Sequence, residues 1–239
     1  MTRFFVTPAE LAQDSILLTG ENAAHAKVLR LRIGEEVLVC DGEGRECLCS
    51  VAEDMQLNIL ERRASVTEPR VSVSLYMAFP KADKLEHVIQ KATELGADRI
   101  VAFPSARCVS RPDSKSLSKK TERWQKIALS AAQQSGRGKI PKVTALNSYA
   151  EALAEAAKAD TAILLYENEQ ATTLKMALEI KDFSSVSLIS GPEGGLEEKE
   201  VEQAMKAGIS VCTLGKRILR CETAPLCALS AVMYATNEF

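Results

Sequence analysis

Apolar and polar positions change their period near residue 70. Before that point Val37-Leu38-Val39-Cys40 and Glu46-Cys47-Leu48-Cys49-Ser50-Val51 flank Asp41-Gly42-Glu43-Gly44, and alternation around an Asp-Gly turn predicts a β-hairpin. Leu57 to Glu61 adds a short strand, and a helical insert is expected around Asn22 to Leu29. Residues 1–69 therefore read as a small β-rich domain. Beyond Glu68-Pro69-Arg70 the pattern becomes strand, helix, strand: Val71 to Phe79, then Asp83 to Leu95 with Leu85, Val88, Ile89, Ala92 and Leu95 on one face, then Arg99 to Phe103. A helix from Leu117 to Gln134 follows, then strand Lys142 to Leu146, helix Tyr149 to Lys158, strand Thr161 to Tyr166 and helix Ala171 to Ile180. Two further strand–loop–helix units close the chain. Such alternation over residues 70–239 predicts an α/β domain, a parallel sheet with helices on its faces.

The last two units carry the candidate chemistry. Val186 to Ser190 runs into Gly191-Pro192-Glu193-Gly194-Gly195, followed by Glu197, Glu198 and Glu200 at a helix start. Val211 to Leu214 runs into Gly215-Lys216-Arg217-Ile218-Leu219-Arg220-Cys221-Glu222-Thr223 and an apolar helix to Ala235. Ligands of parallel sheets sit beyond the carboxyl ends of the strands, where both loops fall. A phosphate cradle would want a lysine among the glycines and an uncluttered positive helix end, and neither is present. Glycines let backbone groups approach a flat ligand edge, and acids favour a cation, so a sulfonium cofactor suits the pair of loops. A capped βα turn explains a lone GPEGG equally well.

Composition narrows the class further. With 46% hydrophobic and 26% charged residues the chain is globular, and no stretch approaches a membrane span or a secretory signal, so a cytoplasmic protein is expected. Seven cysteines without a C-x-x-C spacing read as reduced core thiols, and no metal site is expected. Residues 71–140 carry a net charge of +7, against −4 and −5 for the segments on either side. That asymmetry suits a polyanion, and also an exposed basic helix. Arg3 beside Phe4 and Phe5, and Lys27, Arg30 and Arg32 around His25, suit phosphates and bases or an ordinary surface. Trp124 shares a face with Ile127, Ala128 and Ala131 and reads as core.

Six segments coincide in order with one family: RFFV, HAKVLRLRIGEEVLVCDGEG, KADKLEHVIQKATELGADRI, ERWQKIALSAAQQSGRGKIP, LISGPEGGLEEKEV and LGKRILRCETAPLCALSAVMY. Together they resemble the RsmE-type methyltransferases of the SPOUT superfamily, which act on uridine N3 in 16S rRNA of the small ribosomal subunit. The resemblance implies a PUA-like RNA-binding β-barrel over 1–69 and a SPOUT methyltransferase domain over 70–239 with a deep trefoil knot. It also implies a homodimer through the knot region, with the apolar helix at the interface. S-adenosyl-L-methionine would be held by Leu165 and Tyr166, by Ser190, Gly191, Glu193, Gly194 and Gly195, and by Leu214, Gly215, Ile218, Leu219 and Arg220. RNA would be gripped by Arg3, Arg30, Arg32, Lys81, Lys84, Arg107 and Arg137. Cys221 stands where the family pattern has Thr or Ser, and Pro225 where it has a small residue.

Methylation at uracil N3 displaces an imide proton while charge spreads onto O2 and O4. Arg220 is the candidate donor to those oxygens, and Glu222 the candidate to orient Arg220 or accept the proton. A structural Arg–Glu pair at a helix start is the alternative. A ribose 2′-O-methyltransferase would show an Asn-Glu-Gly loop, absent here, and a non-catalytic RNA-binding factor would use the glycine loops only as turns.

Overall fold

In the computed structural model, which describes residues 1–179 and 183–239 apart from the side chain of Ser114, the chain forms two units. One comprises Met1–Glu68 and Ala132–Ile140, the other Pro69–Ala131 and Pro141–Phe239.

The first unit contains β1 (Arg3–Phe5), α1 (Pro8–Leu11), β2 (Ser15–Leu17), α2 (Gly20–Leu29), β3 (Glu36–Cys40), β4 (Arg45–Val51) and β5 (Gln56–Ala64). Its sheet has the order β1-β3-β4-β5-β2, with β1 parallel to β3 and the other pairs antiparallel. Among the described residues no ladder joins β1 to β2, so the expected barrel is an open five-stranded sheet. The hairpin forms as alternation predicts: Val39 faces Cys47 and Val37 faces Cys49, and all four enter a core with Phe4, Ile16 and Leu57. The Asp41 carboxylate accepts from the Glu43 and Arg45 N–H groups at 2.7 and 3.0 Å, which fixes the turn.

Residues 132–140 belong to this unit through hydrogen bonds that sequence reasoning does not anticipate. Glu68 accepts from the Arg137 guanidinium at 2.7 Å and from the Gly138 and Lys139 N–H groups at 2.9 and 3.1 Å. Ile140 N–H donates to the Gly42 carbonyl at 3.0 Å.

The second unit contains β6 (Ser72–Ala78), α3 (Lys84–Glu94), β7 (Arg99–Phe103), most of α4 (Ser114–Ser135), β8 (Lys142–Ala145), α5 (Tyr149–Ala156), β9 (Thr161–Leu165), α6 (Leu174–Glu179), β10 (Ser185–Ser190), α7 (Glu198–Lys206), β11 (Ser210–Cys212) and α8 (Thr223–Ala235). All six strands are parallel, in the order β11-β9-β10-β6-β7-β8. The chain moves outward from β6 to β8, re-enters the other half at β9 and returns to β10 beside β6. That reversal makes a crevice beyond the carboxyl ends of the strands. Trp124 is 4% exposed and lies in the core, as its helical face predicts.

Two boundaries differ in a way that shapes the site. The helix expected from Ala171 begins only at Leu174, and Ile180, its expected end, lies outside the described residues. The Glu169 carboxylate takes the Ala171 and Thr172 N–H groups at 2.7 and 3.0 Å, and Thr173 bridges to Thr213, so 166–173 stays a loop. The strand expected to reach Leu214 ends at Cys212. The apolar stretch of α8 buries Pro225, Ala228, Leu229, Val232 and Met233. Among the described residues no helix is long and apolar enough to cross a membrane, and no cluster of three or more metal-ligating side chains occurs.

Candidate functional site

Three loops leave the carboxyl ends of neighbouring strands: 166–173 after β9, 191–197 after β10 and 213–222 after β11. Hydrogen bonds tie the loops after the adjacent strands β9 and β11 together, from Thr213 N–H to the Thr172 carbonyl at 2.9 Å and from Tyr166 N–H to the Cys212 carbonyl at 2.9 Å. A cavity of about 980 Å³ opens between the loops. Its wall takes Leu165, Tyr166, Ser190, Gly191, Glu193, Gly195, Leu214, Gly215, Ile218, Leu219 and Arg220, so all but one of the residues expected around a cofactor are brought to one place.

The exception is Gly194. A side chain there would meet Arg107 Cβ at 3.2 Å, and its carbonyl accepts from the Arg107 guanidinium at 3.0 Å, so Gly194 turns toward Arg107 and not into the cavity. Gly195 has φ +69°, a conformation that side chains disfavour, and a Cβ there would collide with the Glu167 carboxylate. The turn itself therefore requires Gly195, whatever approaches its backbone from the cavity.

Of the two tasks open to the acids at the start of α7, Glu197 and Glu200 perform the capping one. Glu197 and Glu200 form a capping box, and Glu200, 7% exposed, also accepts from the Ala106 N–H at 2.8 Å. The carboxylates that do line the cavity are Glu193 and two that sequence reasoning missed, Glu167 and Glu169, together with Lys84, Lys216, Arg217 and Arg220. The signal available was the abrupt polarity of Glu167-Asn168-Glu169 after an apolar strand. A wall with both charges and exposed backbone suits a ligand that carries a carboxylate, an ammonium and a further cation. The apolar side chains of Leu165, Leu214 and Leu219 leave room for a flat ring.

Arg220 is exposed on this wall, and among the described residues no hydrogen bond or ion pair holds its guanidinium. Glu222, expected to orient it, is engaged elsewhere. Its carboxylate takes Lys84 Nζ at 3.2 Å and the Cys221 thiol at 3.2 Å. Burial pushes the Glu222 carboxyl up, but bonds from its own N–H, Cys221 and Lys84 outweigh that and leave it below the usual range. Lys84 also reaches Glu193 at 3.0 Å, chiefly for which its pKa is raised to about 12.

The residues expected to grip RNA divide by exposure. Arg30, Arg32, Lys81 and Arg107 are exposed. Arg3 and Arg137 are not: the Arg3 side chain is 8% exposed and bonded to the buried Glu46 at 2.9 Å, and Arg137 is 4% exposed and held by Glu68. Both guanidiniums are enclosed and already paired with a carboxylate, so the structure favours structural roles for Arg3 and Arg137 over a grip on RNA. Lys84, committed to Glu193 and Glu222, is corrected likewise.

A family model described as an RNA methyltransferase domain matches residues 67–233, and an RNA methyltransferase PUA domain matches residues 18–55. The ribosomal RNA small subunit methyltransferase E of Bacillus subtilis is 37% identical, with 99% of this chain and 98% of that one aligned. The chain belongs to the ribosomal RNA small subunit methyltransferase E family. The namesake from Mesomycoplasma hyopneumoniae is 35% identical over 96% of this chain and 98% of its own. A crystal structure of the methyltransferase E of Neisseria gonorrhoeae, bound to S-adenosyl methionine, superposes with a TM-score of 0.85 at 32% identity, covering 98% of this chain and 97% of that one. Within this family the three-loop cavity is the natural candidate for the methyltransferase site.

Proposed function

We propose that this methyltransferase transfers a methyl group from S-adenosyl-L-methionine to N3 of a uridine in 16S rRNA. The observation that carries the reading is the cavity enclosed by three strand-end loops, with glycine backbone, acids and bases on its wall, in a chain of this family. Bound there, the cofactor supplies an electrophilic methyl group on a sulfonium. Glu167, Glu169 and Glu193 offer a negative field to its cationic part, and backbone groups of Ser190 to Gly195 and Leu214 to Leu219 offer edges to its ring. Arg220 donates to a uracil oxygen as N3 gives up its proton to water, which lowers the energy of the charge left on O2 and O4.

Residues 1–69 are assigned to RNA binding as a PUA-like module and 70–239 to catalysis, with Arg30, Arg32, Lys81 and Arg107 as phosphate contacts. A threaded, knotted C-terminus is part of the same reading, resting on the family to which the chain belongs. A homodimer through that region is part of the same reading, and the exposed Tyr234 and Cys227 of α8 support it. Calorimetry with S-adenosylmethionine tests the cofactor, and mass mapping of 16S rRNA from a deletion strain, before and after the protein is added, tests the acceptor. Absence of cofactor heat, or a modification at any atom other than uracil N3, overturns the reading.

A further inference from the structure

The start of α3 is built against its own local preferences. Ala82 has φ +54°, a left-handed conformation that alanine adopts only under constraint. Two residues on, Lys84 places a cation in the first turn of a helix, at the positive end of the macrodipole, and the Asp83 N-cap makes no side-chain capping bond. Strain of this kind persists where the surroundings over-determine it, and here the surroundings are the cavity wall. Lys84 Nζ donates to Glu193 at 3.0 Å and to Glu222 at 3.2 Å, and lies 3.8 Å from Cys221 Sγ. The strained turn makes a further bond to the same loop, from Lys81 N–H to Glu193 at 3.0 Å. Glu193 belongs to the glycine loop after β10 and Glu222 to the segment after β11, so one ammonium joins two of the three loops that enclose the cavity.

We infer that Lys84 is a positioning residue, which fixes the spacing of the β10–α7 loop and the β11–α8 segment by holding Glu193 and Glu222 on one charge. The inference rests on the reading of this cavity as the S-adenosylmethionine site. Removal of the cation leaves two carboxylates facing each other, and their repulsion pushes the loops apart. Among the described residues neither carboxylate pairs with Arg220, Arg217 or Lys216. Cys221, whose thiol burial pushes up to about 12, stays neutral beside them. Only a proton can then take the place of Lys84.

That substitution of proton for lysine gives a signature that mere packing lacks. In Lys84→Met the like-charged neighbour raises the affinity of one carboxylate for a proton, so the repulsion is present at high pH and fades as pH falls. Cofactor affinity of Lys84→Met, read by calorimetry, should be about tenfold or more below that of the unchanged protein at pH 8 and should recover several-fold at pH 6, as one of the two facing carboxylates takes up a proton. Lys84→Arg should stay within a few-fold at both pH values, because a guanidinium fork also holds two carboxylates. Adding Glu222→Gln to Lys84→Met should restore affinity at pH 8 and abolish the pH dependence. Where Lys84→Met gives no cooperative melt, Lys84→Gln is judged by the same criteria. No heat from the unchanged protein overturns the cofactor reading and the inference together. Heat from the unchanged protein with undiminished affinity in Lys84→Met, or a loss that neither pH nor Glu222→Gln repairs, overturns the positioning role alone.

Discussion

Gly195 and Arg220 show two ways in which one residue can matter to the same cavity. At Gly195 the backbone has φ +69° and the Glu167 carboxylate occupies the space a Cβ would need. Gly195→Val should therefore lower the thermal midpoint, through a backbone strain of about 1–2 kcal/mol, and weaken cofactor binding as Glu167 is displaced. Gly194→Ala, whose Cβ meets Arg107 at 3.2 Å outside the cavity, should leave cofactor affinity near that of the unchanged protein. Melting curves and calorimetry on the pair check the difference. Arg220 has the opposite character, since nothing among the described residues holds its guanidinium. Arg220→Ala should preserve the melt and cut the single-turnover methylation rate by roughly 10²- to 10³-fold, the scale for losing one donor to charge that develops in the transition state. A parallel fall in cofactor affinity would make Arg220 a binding residue instead.

Among the elements, two of the three site strands, β9 and β10, are anchored to each other at their far ends as well. The residue before β9, Asp160, accepts from Ser184 N–H and Oγ and from Ser185 N–H and Oγ at 2.8–3.0 Å, which ties the foot of β9 to the foot of β10. Those bonds, the Ser184 N–H foremost, depress the Asp160 carboxyl to about 2. A folded-state pKa below the unfolded value means that the stabilisation is present above about pH 4 and is lost as pH falls toward 2. Asp160→Ala should melt below the unchanged protein at pH 7, and the gap should close on acidification between those limits. A gap that stays constant with pH would assign the loss to packing. The elements themselves were largely readable: the hairpin from alternation, α3 from the face of Leu85, Val88, Ile89 and Ala92, and α8 from its apolar run. Loop 166–173 was not, because Ala171 to Glu179 has helical composition and only the partners Glu169 and Thr213 hold its start in a loop.

For the molecule as a whole, charge counted along the chain does not say which cations face solvent. The exposed pair Arg30 and Arg32 and the enclosed side chain of Arg3 look alike in sequence. Replacing Arg30 and Arg32 by Ala should weaken rRNA binding and reduce its salt slope by about 1.4 to 1.8, at roughly 0.7 per phosphate contact for single strands and 0.9 for B-form duplexes, without change in the melt. Arg3→Ala should do the reverse, lowering the melt while the slope stays, because it strips a partner from the buried Glu46. Filter-binding titrations over a range of salt, with melting curves alongside, separate the two. Residues 132–140 carry the same lesson. Their basic charge suggests a contact with RNA, yet Arg137 is committed to Glu68.

By itself the sequence determined the local and the repetitive: the change of period near residue 70, the order of strands and helices, and the two glycine loops at strand ends. Those follow from side-chain periodicity and backbone freedom, which act over a few residues. The quoted segments also determined the family, because their residues and order are specific to it. Tertiary structure alone decided which strands are neighbours, and so that loops far apart along the chain enclose one cavity. It alone decided the partners of the charges: that Glu222 answers Lys84 and not the nearby Arg220, that Arg3 serves the buried Glu46 and Arg137 serves Glu68, and that Glu167 lies against Gly195. An ion pair is chosen by distance and desolvation in three dimensions, and neither quantity is a function of spacing along the chain.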